Sequence, residues 1–235
     1  MKSFLLIGQS NMAGRGEFGE VPEIKNPNCF MLRNGRWVGM SEPINPDRGV
    51  FEPGFHSGVG LGASFADEYA KYFKEDIGLI PCADGGTSLS EWMPGEILYD
   101  NAVNNARLAM RTSEFSGILW HQGENDCEKK EDADTYKERF LEMIEALKSD
   151  IGCGNVPVVV GELGEFVKTY SGGKLKWVDT VNDALKDMPS CLKNCAFASA
   201  DGLSCKDDGI HFDSYSYRIL GSRYFEAYKD MRENL

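Results

Sequence analysis

Phe4-Leu5-Leu6-Ile7-Gly8-Gln9-Ser10-Asn11 is the stretch on which the fold turns. A short run of apolar residues bounded by a glycine and polar residues reads as a strand buried on both faces, and Ser10 then stands where a helix is expected to start. Four more apolar runs, at 77–81, 117–121, 156–161 and 195–199, have the same character. The segments between them carry helical spacing. Leu61, Phe65, Tyr69 and Phe73 fall four apart. Tyr136, Phe140, Ile144 and Leu147 do the same behind Asp132 and Asp134, either of which is a candidate cap. A last helix is predicted from about Ser214, with Ile219, Leu220, Tyr224, Phe225 and Tyr228 on its buried side. Strands alternating with helices predict a five-stranded parallel sheet covered on both faces, built by residues 1–235 as a single α/β domain.

In such sheets, sites form beyond the carboxyl ends of the strands. The unusual residues of this chain gather there: Gly8-Gln9-Ser10-Asn11 after the first run, Ala83-Asp84-Gly85-Gly86-Thr87 after the second, and His121-Gln122-Gly123-Glu124-Asn125-Asp126 after the third. Asp207-Asp208-Gly209-Ile210-His211 follows the fifth. The long connection over residues 17–57 holds a hairpin at Leu32-Arg33-Asn34-Gly35-Arg36-Trp37, because Asn-Gly favours a type I′ turn. Lying near the same edge, this insertion is expected to shape access to the site.

Composition narrows the function classes. The chain is 235 residues long, 42% hydrophobic and 26% charged, with a net charge of -12, which opposes a phosphate-binding footprint and thus a nucleic-acid partner. The apolar opening is too short for a leader or a membrane span. Seven irregularly spaced cysteines read as scattered, mostly buried thiols of a reducing compartment, so a cytoplasmic location is expected. Oligomeric state is left open.

A serine becomes a useful nucleophile when a base takes its proton and a third group orients that base. Ser10 alone reads first as a helix cap. Asp208-Gly209-Ile210-His211 shifts the balance, because an Asp three residues before a His folds back within one turn onto Nδ1 and leaves Nε2 for the serine. Of three histidines, His56 lies in the insertion and His121 at a strand end, which favours His211. Oxyanion donors are sought in the amides of Ser10, Gly85 and Gly86 and in the side chain of Gln122. Gln9, Asn11 and Trp92 are candidate substrate contacts; Trp92 reads as a sugar-stacking platform or, as large aromatics at strand ends more often are, as core or pocket wall, and Asn11 equally as a helix cap. His121, Glu124 and Asp126 match no standard zinc spacing, so neither a metal nor an organic cofactor is expected.

These blocks, Phe4 to Gly14, Gly85-Gly86-Thr87…Trp92, Trp120-His121-Gln122-Gly123-Glu124 and Asp208-Gly209-Ile210-His211, resemble the SGNH hydrolase superfamily. They are similar to its branch of carbohydrate esterase family six and sialate O-acetylesterase-like proteins, and they cover nearly the whole chain in order. The resemblance implies a flavodoxin-like three-layer α/β/α fold and a cofactor-free serine esterase that removes acetyl groups from carbohydrates of xylo-oligosaccharide or sialic-acid type. It matches Ser10 to the nucleophile, His211 to the base, and Gly86 and Gln122 to the oxyanion donors. Asn125 fits the superfamily's Gly-x-Asn-Asp block as the alternative donor, and Glu124 competes with Asp208 to orient His211.

Rival readings fare less well. No Lys completes a phosphate loop between Gly8 and Gly16, and Met12 replaces the second glycine of an α/β-hydrolase elbow. A catalytically silent carbohydrate-binding protein would commonly have lost Ser10 or His211. An esterase or thioesterase acting on other acyl groups would need an apolar acyl channel.

Overall fold

The five apolar runs pair side by side in one sheet. In the computed structural model, which describes residues 1–46 and 56–233, β1 (Lys2–Gly8) leads through a single helical turn, α1 (Ser10–Ala13), to a hairpin of β2 (Cys29–Arg33) and β3 (Arg36–Gly39). Next come α2 (Leu61–Phe73), β4 (Ile77–Pro81), α3 (Ile97–Ala109) and β5 (Glu114–His121). The chain continues with α4 (Lys130–Asp134), α5 (Tyr136–Ile151), β6 (Val158–Gly161), α6 (Val178–Cys191), β7 (Cys195–Ala198) and α7 (Ser214–Glu233). The sheet order is β3-β2-β4-β1-β5-β6-β7, and only β3 runs antiparallel.

The five expected strands hold the order β4-β1-β5-β6-β7, which is the flavodoxin-like arrangement with its switch point between β1 and β5. The count of five is corrected to seven. Asn34 and Gly35, at φ 47° and 74°, close the foreseen hairpin, whose first strand sets Cys29, Phe30 and Met31 beside Ile77, Gly78 and Leu79 of β4. The Trp37 ring from its second strand lies over Gly78, where a Cβ would meet it at 2.5 Å. The hairpin therefore extends the sheet rather than the rim of the site. Of the connection over residues 17–57, residues 47–55 lie outside the described residues.

β1 is buried on both faces, as its unbroken apolar run requires. Phe4 and Leu6 join the core beneath α2 and α7, while Leu5 and Ile7 join the core beneath α3, α5 and α6. Phe4 meets Phe65, Tyr69 and Tyr228 edge-on, each at 5.1 Å between ring centroids. Burying such side chains contributes roughly 1.5–3 kcal/mol each, so β1, and with it the start of the site, is firmly placed.

Two helix expectations change. Asp132 and Asp134 do not cap α5, because they form their own short helix α4, and Thr135, bonding back to the Glu131 carbonyl at 2.7 Å, marks the break. Ile219 is on the solvent side of α7, while Leu220, Tyr224, Phe225 and Tyr228 are buried. All seven cysteines are free, and Cys29, Cys82, Cys127 and Cys195 are buried. No helix among the described residues is long and apolar enough to cross a membrane.

Candidate functional site

Gly8 makes the first turn of the site possible. It sits opposite His121 in the register of β1 and β5, at φ 131°, and a Cβ there would overlap the His121 carbonyl. The chain pivots, the Gln9 amide bonds the His121 carbonyl at 3.0 Å, and Ser10 emerges at the switch point. α1 is one turn long, so its dipole adds little; the sharp pivot, not a long helix, presents the serine.

The loop after β4 comes alongside. The Asp84 amide bonds the Gly8 carbonyl at 2.9 Å, and Gly85 lies so near the serine that a Cβ on it would meet Ser10 Cβ at 3.4 Å and Arg15 Nη2 at 2.6 Å. Gly86 adopts φ 74° with open space on its Cβ side. Two amides from the loop after β5 hold this segment: Asn125 Nδ2 donates to the Gly86 carbonyl at 2.6 Å, and Gln122 Nε2 to the Thr87 carbonyl at 3.0 Å.

From the other end of the chain, Asp208 and His211 form one tight turn through Gly209 at φ 72°. Asp208 Oδ1 accepts the amides of Ile210 and His211, each at 3.0 Å, while Oδ2 accepts His211 Nδ1–H at 2.8 Å. His211 Nε2 lies 2.9 Å from Ser10 Oγ. Three residues recognised in the sequence are thus joined into a relay. Burial lowers the His211 pKa below the usual imidazole value, although the Asp208 carboxylate opposes part of that shift. Burial would raise the Asp208 pKa, but the two amides and the imidazole it accepts from more than offset this and hold it below the ordinary carboxylate value.

Other sequence candidates land elsewhere. Glu124 does not reach His211: it is fully buried, its Oε1 accepts Asn11 Nδ2, its Oε2 has no partner, and burial raises its pKa to about 7. Gln122 is also fully buried, and its Nε2 is shared among Thr87, Gln9 and Asp126, so it faces away from the cleft. The alternative Asn125 is exposed and lines the cleft. Trp92 is no platform, because a 3-10 turn at Leu89–Trp92 folds it inward, 1% exposed, with Nε1 donating to Thr87 Oγ1 and its ring edge-on to Trp120. Asn11 neither caps a helix nor faces the cleft; its side chain is buried beneath the turn. Gln9 borders the cleft while its side-chain oxygen accepts Gln122 Nε2. His121 is fully buried against the Tyr224 hydroxyl at 3.0 Å, and burial depresses its pKa to about 3. Among the described residues no group of His, Cys, Asp and Glu side chains is arranged to hold a metal.

The relay opens into a cleft of about 660 Å³. Its remaining walls went unread in the sequence. Arg15, Glu17 and Phe18 come from the loop after α1, His56 and Ser57 precede α2, Tyr170, Lys174 and Leu175 follow β6, and Lys206 precedes the Asp208 turn. The ends of the 17–57 connection therefore do reach the cleft, although its hairpin does not. Phe18, set between Glu17 and Gly19 and 60% exposed, stands at the rim of this cleft.

Comparison with known proteins gives the family and the fold. Residues 1–230 match the family model described as carbohydrate esterase, sialic acid-specific acetylesterase. A probable carbohydrate esterase of Arabidopsis thaliana is 32% identical over 244 residues, covering 96% of this chain and 89% of that protein. Its X-ray structure superposes with a TM-score of 0.85 at 29% identity, over 97% of this chain and 98% of that one. NanS (TM-score 0.78, 16% identity, 99% and 98% covered) and a carbohydrate acetylesterase from Xanthomonas citri (0.71, 18%, 99% and 56%) share the fold.

Proposed function

The chain belongs to the carbohydrate esterase family of sialic acid-specific acetylesterase type and is a carboxylic ester hydrolase; from that premise we propose that it removes acetyl groups from O-acetylated sugars or short oligosaccharides through an acyl-enzyme on Ser10. The observation that carries the reading is the Ser10–His211–Asp208 relay, closed at 2.9 Å and 2.8 Å at the floor of the cleft. Asp208 fixes the tautomer with its proton on Nδ1, so Nε2 of the neutral imidazole accepts the Ser10 proton as Oγ attacks the ester carbonyl. The tetrahedral oxyanion rests on the amides of Ser10 and Gly86, with Asn125 steadying the Gly86 peptide from the cleft side. His211 then protonates the leaving sugar hydroxyl, and water repeats the sequence to release acetate.

The lining supports a sugar rather than a long acyl chain. It mixes charged and aromatic groups, with the Lys174–Glu128 pair at 2.9 Å on one wall and Arg15 and Lys206 on another, around the exposed Phe18. Xylo-oligosaccharide and sialic-acid esters are the substrates to compare. Acetate release from both, and from a chromogenic acetyl ester, is measured for the wild type and Ser10→Ala. The expected result is release by the wild type alone, with a fluorophosphonate adduct on Ser10; equal activity in the variant would refute Ser10 as nucleophile.

A further inference from the structure

Ser10 and His211 arrive from opposite ends of the chain, 201 positions apart, and the distance between them has to be held by something. Directly beneath them lies the Asn11 side chain, which is fully buried and uses both ends of its carboxamide. Nδ2 donates to the Ile210 carbonyl at 3.0 Å and to Glu124 Oε1. Oδ1 accepts the Phe212 amide at 3.3 Å and the Tyr217 hydroxyl at 2.7 Å. Ile210 and Phe212 are the two chain neighbours of His211. One carboxamide, attached to the residue after the nucleophile, therefore grips the backbone on both sides of the base.

Building on the proposed serine mechanism, we propose that Asn11 is the positioning residue that sets the Ser10–His211 separation, with Glu124 and Tyr217 as its two anchors. The chemistry requires this residue type. One end must donate to a carbonyl and a carboxyl while the other accepts from an amide and a hydroxyl, and a neutral carboxamide of this length does both. Asp would set oxygen against the Ile210 carbonyl and the Glu124 carboxyl. The anchors explain two otherwise costly features. Glu124 is a buried carboxyl with an unpartnered oxygen, and Tyr217 is a tyrosine buried in the core against Phe212, its ring centroids 5.7 Å apart. Each gives up solvent to fix one end of Asn11. Glu124, which sequence reasoning set against His211 directly, acts on it through this relay of hydrogen bonds.

The test uses Asn11→Asp, close to isosteric, and Tyr217→Phe, which keeps the buried ring and deletes only the hydroxyl. Folding is checked by near-UV circular dichroism. A chromogenic acetyl ester gives kcat and KM, and a fluorophosphonate gives the rate of Ser10 modification without any sugar contact. Misplacing a nucleophile by an ångström costs on the order of 100-fold, so folded Asn11→Asp should lose about that in kcat with KM unchanged, and Ser10 modification should slow in proportion. Tyr217→Phe should lose on the order of tenfold with the same split. Folded variants with wild-type kcat, or with a change in KM alone, would overturn the inference. Should Ser10→Ala itself remain active, the serine mechanism fails; should it be dead while both variants run at the wild-type rate, only the role of Asn11 fails.

Discussion

Replacing Asp208 by Asn tests the relay where it is most specific. Asp208 Oδ1 closes the turn on the amides of Ile210 and His211, and a carboxamide oxygen accepts those bonds equally well, so the backbone stays in place. The change falls on the other atom. An NH₂ group would face His211 Nδ1 at 2.8 Å, the ring would move its proton to Nε2, and a donor would then point at Ser10 Oγ where an acceptor is needed. In triads with a deeply buried carboxylate this tautomer error costs about 10⁴-fold in kcat. Here the Asp208 side chain is 39% exposed and water shares its role, so the expected loss is on the order of 10³-fold, or about 4 kcal/mol in the barrier. The assay is kcat on a chromogenic acetyl ester at several pH values, with the folded state checked by thermal unfolding. A folded Asp208→Asn enzyme within tenfold of the wild type would refute the tautomer argument and remove Asp208 from the relay.

The pH dependence follows from the same pair. His211 works as a base only when neutral, and burial lowers its pKa, so activity is full at high pH and lost as pH falls through a midpoint below about 6.5. A kcat/KM profile with its acid limb centred above that value would contradict the burial argument. Trp92→Phe should remove packing volume and the bond to Thr87, destabilising the protein by about 2 kcal/mol in urea unfolding while leaving KM for an acetylated oligosaccharide unchanged. A raised KM at unchanged stability would instead return Trp92 to the sugar.

Legibility in the sequence tracked how local each signal was. The strands were readable because the middle of a buried parallel strand is apolar on both faces, as Phe4 to Ile7 of β1 are. The Asp208–His211 turn was readable because its geometry closes within four residues. The direction of a side chain after a strand end was not. Gly123, at φ 150°, turns the chain after β5 so that Gln122 and Glu124 go inward and Asn125 outward, and no period in the sequence encodes that twist. A Cβ there would press on Val181 of α6 at 2.7 Å, so the turn is tied to a helix more than fifty residues on. Trp92 stayed open between platform and core for a similar reason: whether an aromatic after a strand faces a cleft or a core is decided by what packs over it, here Trp120. The hairpin was recognised by its Asn-Gly turn, but its place on the sheet edge depended on a partner, β4, nearly forty residues away.

Because Asp208 and His211 close on each other within a single turn, their mutual geometry asks little of the rest of the molecule. What remains for the relay itself is one long-range meeting, between a loop near the amino end of the chain and one near its carboxyl end. Under the proposed mechanism, hydrolysis is a built-in reporter of chain closure. During refolding, sheet and helix signals should recover as the central strands assemble, whereas turnover should return only when the last helix docks and carries the base onto the serine.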